Sequence, residues 1–195
     1  LFVALCAVIM SAREDMALLV TMIGLYLLLI RRRRRMGAIL AGTALAWFVI
    51  CTQVIIPSYS GQTVSPFLPR LAIWAPTLEE SLKAFIQNPW LLWQWMTQPA
   101  ILRYVSGILA SAGYLSLLRP EILLLAAPVL TINIFSAWHW TYSGGVHYSI
   151  SIVPFLLAAS IAGMAGLARW LGQRMGFAYK QVVPVLIGIM LLIAG

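Results

Sequence analysis

Charge is what this sequence has least of: Asp, Glu, Lys and Arg make up 9% of its 195 residues, against about a quarter in an ordinary soluble domain. With 62% of residues hydrophobic, the chain cannot cover itself with polar surface, so a water-soluble globule is excluded and lipid is its solvent. Acid is scarcest, at five residues. Cys6 and Cys51 are the two cysteines; both lie in apolar segments without a partner motif and read as small buried hydrophobes. No zinc-ligand spacing, Walker loop, dinucleotide glycine motif or nucleophile elbow is present. The net charge of +8 does not imply nucleic acid, because five of the thirteen basic residues form one run, Arg31–Arg35, wedged between apolar stretches. A run so placed anchors neighbouring helices at a membrane surface.

What is present is a series of apolar segments. Seven are expected to be helices: 1–12 (truncated), 16–30, 36–56, 101–118, 121–138, 149–168 and 182–195 (truncated). The chain begins and ends inside apolar runs, which reads as an internal fragment of a longer protein and one membrane-embedded domain over 1–195. Leu1–Ala12 lacks the basic start and cleavage site of a signal peptide. The fold class expected is all-α, a polytopic transmembrane bundle. Residues 101–118 and 121–138 meet at Arg119–Pro120, a connection read as a tight helical hairpin.

Basic residues set the orientation. With Arg31–Arg35 in the cytoplasm and the segments alternating, nine of the thirteen basic residues are inside and four outside. Glu14, Asp15, Glu79, Glu80, His139 and His147 then fall on the extracytoplasmic face, so nearly all acid, base or metal chemistry belongs there. The long connection 57–100 is also external and holds six of the ten prolines, which excludes one continuous helix. Inside it Thr77 and Glu80 have capping-box spacing, Leu78, Leu82, Phe85 and Ile86 share one face, and Glu79 lies four residues before Lys83. These features predict an amphipathic helix, 77–87, lying in the outer interface, with an aromatic-rich re-entry (Trp90, Trp93, Trp95) after it.

The order of motifs resembles a known family. Ala12-Arg13-Glu14-Asp15-Met16, Gly24–Leu29, the arginine run, Ala46-Trp47-Phe48, Val54-Ile55-Ile56-Pro57, Asn88-Pro89, Arg119-Pro120-Glu121 and His147-Tyr148-Ser149 with Pro154 carry the likeness. It is similar to the bacterial family of predicted multi-pass membrane proteins catalogued as a domain of unknown function and grouped with the GT-C type membrane glycosyltransferases. The resemblance covers about residues 12 to 168. It implies the bacterial inner membrane, a polyprenyl-phosphate-linked sugar as donor, and an acidic residue on the first external loop, expected to precede Leu1, as base or metal ligand.

Glu14 and Asp15 are the leading candidates, because transfer from a lipid phosphate needs a carboxylate to take the acceptor hydroxyl's proton. Together they are also candidate ligands for a divalent metal, Mg or Mn. The structural alternative is a helix cap, since Ser11 and Glu14 also have capping-box spacing. His147, after the glycine turn 143–145, is a candidate acid, with Tyr148 beside it as a phosphate contact; either is otherwise an ordinary interface residue. Arg103, assisted by Lys83 or Arg70, is a candidate for neutralising a lipid phosphate, its alternative being to snorkel to headgroups. Asn133 is read as a packing residue. Two other functions fit the same residues. An ion-coupled transporter or lipid carrier would place ionisable groups at mid-membrane depth, and these helix interiors lack them. A structural membrane module fits everything and makes no chemical prediction.

Overall fold

The computed structural model describes residues 1–61, 69–144, 147–175 and 179–194. It is all-α, with no strand among the described residues. The first helix, α1 (Phe2–Ala12), is followed by α2 (Met16–Leu29) and α3 (Arg34–Ser60). Next come the short helices α4 (Leu78–Gln87), α5 (Trp90–Met96) and α6 (Pro99–Ala110). The last three are α7 (Pro120–Ile134), α8 (Val153–Met175) and α9 (Tyr179–Ala194).

Two of these, α3 and α8, are long and apolar enough to cross a membrane. Only 22% and 28% of their most apolar windows are buried, the pattern of helices solvated by lipid rather than of core helices in a soluble protein. The other apolar helices are shorter, so among the described residues two helices, not seven, meet that length and composition. Residues 101–118 are not one helix. The α-helix stops at Ala110, Gly113 and Tyr114 both take φ of +58°, and Leu115–Leu118 form a 3₁₀ turn. That turn lies on α8 at Gly163, where a Cβ would collide with the Leu115 carbonyl, so the close approach needs glycine. Residues 121–138 are likewise interrupted, by a 3₁₀ step at Leu124–Ala126 just before Pro128, and the helix ends at Ile134. In contrast α3 outruns its expected end at residue 56. It passes Pro57 through a wide π turn at Cys51–Ile55 and stops at Gly61 in the left-handed region. Proline removes an amide donor and crowds the carbonyl four residues back; the wider turn makes that room.

The tightest packing is between α2 and α3. A side chain at Gly24 would meet the Ala41 backbone at 2.5 Å, and one at Gly37 would meet Leu28 N at 2.5 Å. Small residues at a helix crossing let backbones touch where water supplies no hydrophobic drive. α1 joins them through Cys6, Val20 and Ala44, and Trp47 Nε1 donates to the Met10 carbonyl at 3.1 Å. A second core, Leu19, Ala126, Val129 and Ile152, ties α2 to α7 and to the start of α8.

Thr77 caps α4, its Oγ1 accepting from Glu80 N at 3.2 Å, and Lys83 pairs with Glu79 at 2.7 Å. Trp74 stacks on Phe85 and meets Trp95 edge-on; Trp95 Nε1 donates to the Ile134 carbonyl at 2.9 Å, fastening this segment to the end of α7. Leu82, Ile86, Trp90 and Trp93 stay exposed. Part of the 57–100 connection, residues 62–68, and Gly145 of the glycine turn lie outside the described residues.

Candidate functional site

Four chain segments converge at one pole: the α1–α2 turn, the end of α7, the stretch before α8, and the first turns of α6. Asp15 lies in the first of these and is 4% exposed. Its Oδ2 takes a 2.8 Å ion pair from Arg13 Nη2, while Oδ1 is buried without a hydrogen-bond partner. A buried acceptor left open is costly unless something fills it. Asp15 stands at the N-cap position of α2, but no side-chain hydrogen bond caps that helix, and Ser11 Oγ turns back to the Val8 carbonyl at 2.8 Å. Burial pushes the Asp15 carboxyl above its ordinary value, the Arg13 guanidinium opposes that, and Glu14 adds to the rise.

Asp15 lines a cavity of about 30 Å³ together with Arg13, Glu14, Arg70, Asn133 and Thr141. That volume suits a water or one hydroxyl; a sugar ring would not fit. Arg70 lies over the Trp138 ring at 4.3 Å, and the Ala137 amide donates to its carbonyl at 2.6 Å, which holds the segment before α4 over the cavity.

Asn133 forms the cavity's back wall and its link to a second space. Its Nδ2 donates to Tyr104 Oη at 2.9 Å and to the Tyr148 carbonyl at 3.1 Å; because that carbonyl can only accept, the amide's orientation is set. Tyr104 Oη shares a 3.0 Å hydrogen bond with Ser149 Oγ. Tyr104 and Ser149 in turn line a groove of about 670 Å³ that also holds Arg103, His139 and Tyr142 and runs down past Gly107 to Ser111. Cavity and groove are therefore separated by a single hydrogen-bonded layer, polar on both sides.

The structure thus brings Asp15, Glu14 and Arg70 to the cavity and Arg103 to the groove. Tyr148 stands beside them, with Arg13 5.9 Å above its ring. His147 is exposed, stacks on Tyr148 at 4.6 Å and lines neither space. Lys83 is committed to Glu79 on exposed α4 and is not in the groove. Asn133, Tyr104 and Ser149 were not legible as site residues, since they are scattered over three segments. The best available signal was Asn133 itself, an amide in an apolar helix. As for a metal, no three His, Cys, Asp or Glu converge among the described residues. Arg13 already occupies one Asp15 oxygen and Arg70 shares the cavity, so this donor set does not fit a resident Mg or Mn.

The arginine run lies at the other end of α2, about 20 Å away for a helix of 14 residues. Arg119, Arg169 and Arg174 share that opposite pole, following the turn onto α8 and the last turns of α8. No curated protein and no solved structure matches the chain. One family model does, over residues 1–194, and the chain belongs to that family, described as predicted membrane protein (DUF2079).

Proposed function

We propose that this membrane protein is a GT-C-like glycosyltransferase acting at the extracytoplasmic face of the bacterial inner membrane, with a polyprenyl-phosphate-linked sugar as donor. The observation that carries the reading is the bare, buried Oδ1 of Asp15 in a hydroxyl-sized cavity, backed by a groove large enough for a donor. In this reading the Asn133–Tyr104–Ser149 layer opens as donor and acceptor bind, joining groove to cavity, and an acceptor hydroxyl gives its proton to Asp15 Oδ1. Its oxygen forms the new bond to the anomeric carbon as the bond from that carbon to the lipid phosphate breaks. Arg103 takes up the charge on the departing phosphate, with His139 beside it in the groove. Arg13 holds the base in place through Oδ2, and the Arg31–Arg35 pole faces the cytoplasm. No step is routed through a metal.

The test is sugar transfer from a polyprenyl-phosphate donor by the full-length protein in membranes. Asp15→Asn keeps the shape and removes the base, and is expected to lower transfer by about 10²–10⁴-fold. Undiminished transfer removes Asp15 from this role. Ion-coupled flux of substrate through proteoliposomes, lost in Asp15→Asn, would favour a carrier instead.

A further inference from the structure

At the pole opposite Asp15 the 3₁₀ turn Leu115–Leu118 packs along α8 and leaves a groove of about 570 Å³. Its polar lining is Arg119, Arg169 and Gln173; its apolar lining is Leu118, Leu167 and Trp170. Arg119 offers one nitrogen to Glu121, Nη1 to Oε1 at 3.2 Å, but its Nε is a buried donor with no acceptor. Arg169 spends its Nε on the Ala165 carbonyl at 3.1 Å, and among the described residues no carboxylate pairs with it. Two guanidinium groups thus share one groove with a single carboxylate on its rim, and a buried N–H waits for an acceptor.

The geometry points to a binding site for the phosphodiester headgroup of an anionic phospholipid, drawn from the leaflet that meets the Arg31–Arg35 pole. Charge complementarity selects an anion, because planar guanidinium groups match phosphate oxygens. The walls select a lipid rather than a free ion: Trp170, Leu118 and its sequence neighbour Leu117 are exposed and apolar, so a headgroup here keeps its tails against apolar surface. Gly166 makes the room. A Cβ there would meet nothing within 4 Å, unlike one at Gly163, so the space over Gly166 is open groove. The inference does not depend on the chemistry at Asp15.

The experiment is native mass spectrometry of the full chain after exchange into mixed phosphatidylglycerol and phosphatidylcholine, with inorganic phosphate as competitor. Wild type is expected to retain phosphatidylglycerol at least about tenfold over phosphatidylcholine, a factor worth 1.4 kcal/mol, and millimolar phosphate is expected not to displace it. Arg119→Gln with Arg169→Gln should abolish the preference. Gly166→Leu fills the groove without touching a charge or the α8 contact, and should abolish it too in a protein that still folds. Equal retention of the two lipids, displacement by phosphate, or full preference in Gly166→Leu would overturn the assignment.

Discussion

Two ion pairs of the same sequence spacing sit at opposite poles of this molecule and end in opposite needs. Arg13–Asp15 is short, 2.8 Å, with the carboxylate side chain 6% exposed; Arg119–Glu121 is looser, 3.2 Å, with both side chains partly in the open at 42% and 32%. At the first the leftover group is an acceptor, Asp15 Oδ1, and at the second a donor, Arg119 Nε. The pair alone does not decide what a site wants. Burial of the single atom does: where the acid is enclosed, its second oxygen asks for a hydroxyl or proton, and where one N–H of a half-open guanidinium is enclosed, that N–H asks for an anion.

The largest stability effect expected from this contrast is on Arg13. Removing one member of an enclosed pair leaves the other charge uncompensated, about 3–5 kcal/mol when both are fully buried. Arg13 is itself 36% exposed, so the low end of that range, about 3 kcal/mol, is expected for Arg13→Ala. Glu121→Gln at the opposite pole should change stability by about 1 kcal/mol or less. Thermal unfolding in the same detergent reads both; equal losses would mean the two poles are not different in kind.

A middle-sized effect is expected at Asn133. Replacing it with Leu keeps the helix but strips the donor from Tyr104 Oη and the Tyr148 carbonyl, about 1–3 kcal/mol for buried partners left open. Because this layer separates cavity from groove, the variant should also let a small thiol reagent reach a cysteine placed at Ser136, which lines the cavity. A stable variant with unchanged reactivity there would show that the layer is not a partition.

How much of this the sequence carried depends on whether the signal was local. The helix over 78–87, its Thr77 cap and the Glu79–Lys83 pair are all written within four residues of one another, and the structure has each. The absence of charge in the apolar segments made an all-α membrane protein readable, and the family match agrees. Helix lengths were less readable. Hydropathy continues through Ser111–Tyr114, yet the chain turns there because Gly163, about fifty residues later, offers a bare backbone to lie on. Conversely Pro57 reads as a stop and is not one, because a π turn upstream absorbs it. Asp15 stood out as an acid at a helix boundary, but its free oxygen depends on Ser11 turning away and Arg13 turning in. The Asn133 layer joins residues 29 and 45 positions apart, which no spacing rule could have found.

The smallest expected effect is the most discriminating, and it lies in the pH dependence of Asp15. Burial raises its carboxyl above the ordinary value of 3.8 despite Arg13. For an acid so raised, folding favours the neutral form: the stability it contributes is fully present below the unfolded-state value and is lost as pH rises through the higher folded-state value. Asp15→Asn has no such ionisation. Its melting temperature relative to wild type should therefore climb as pH goes from about 3.5 toward neutrality, then level off. If instead wild type gains on the variant over that interval, Arg13 outweighs burial, and Asp15 is a structural counter-ion held charged rather than a base whose second oxygen was left free at a cost to the fold.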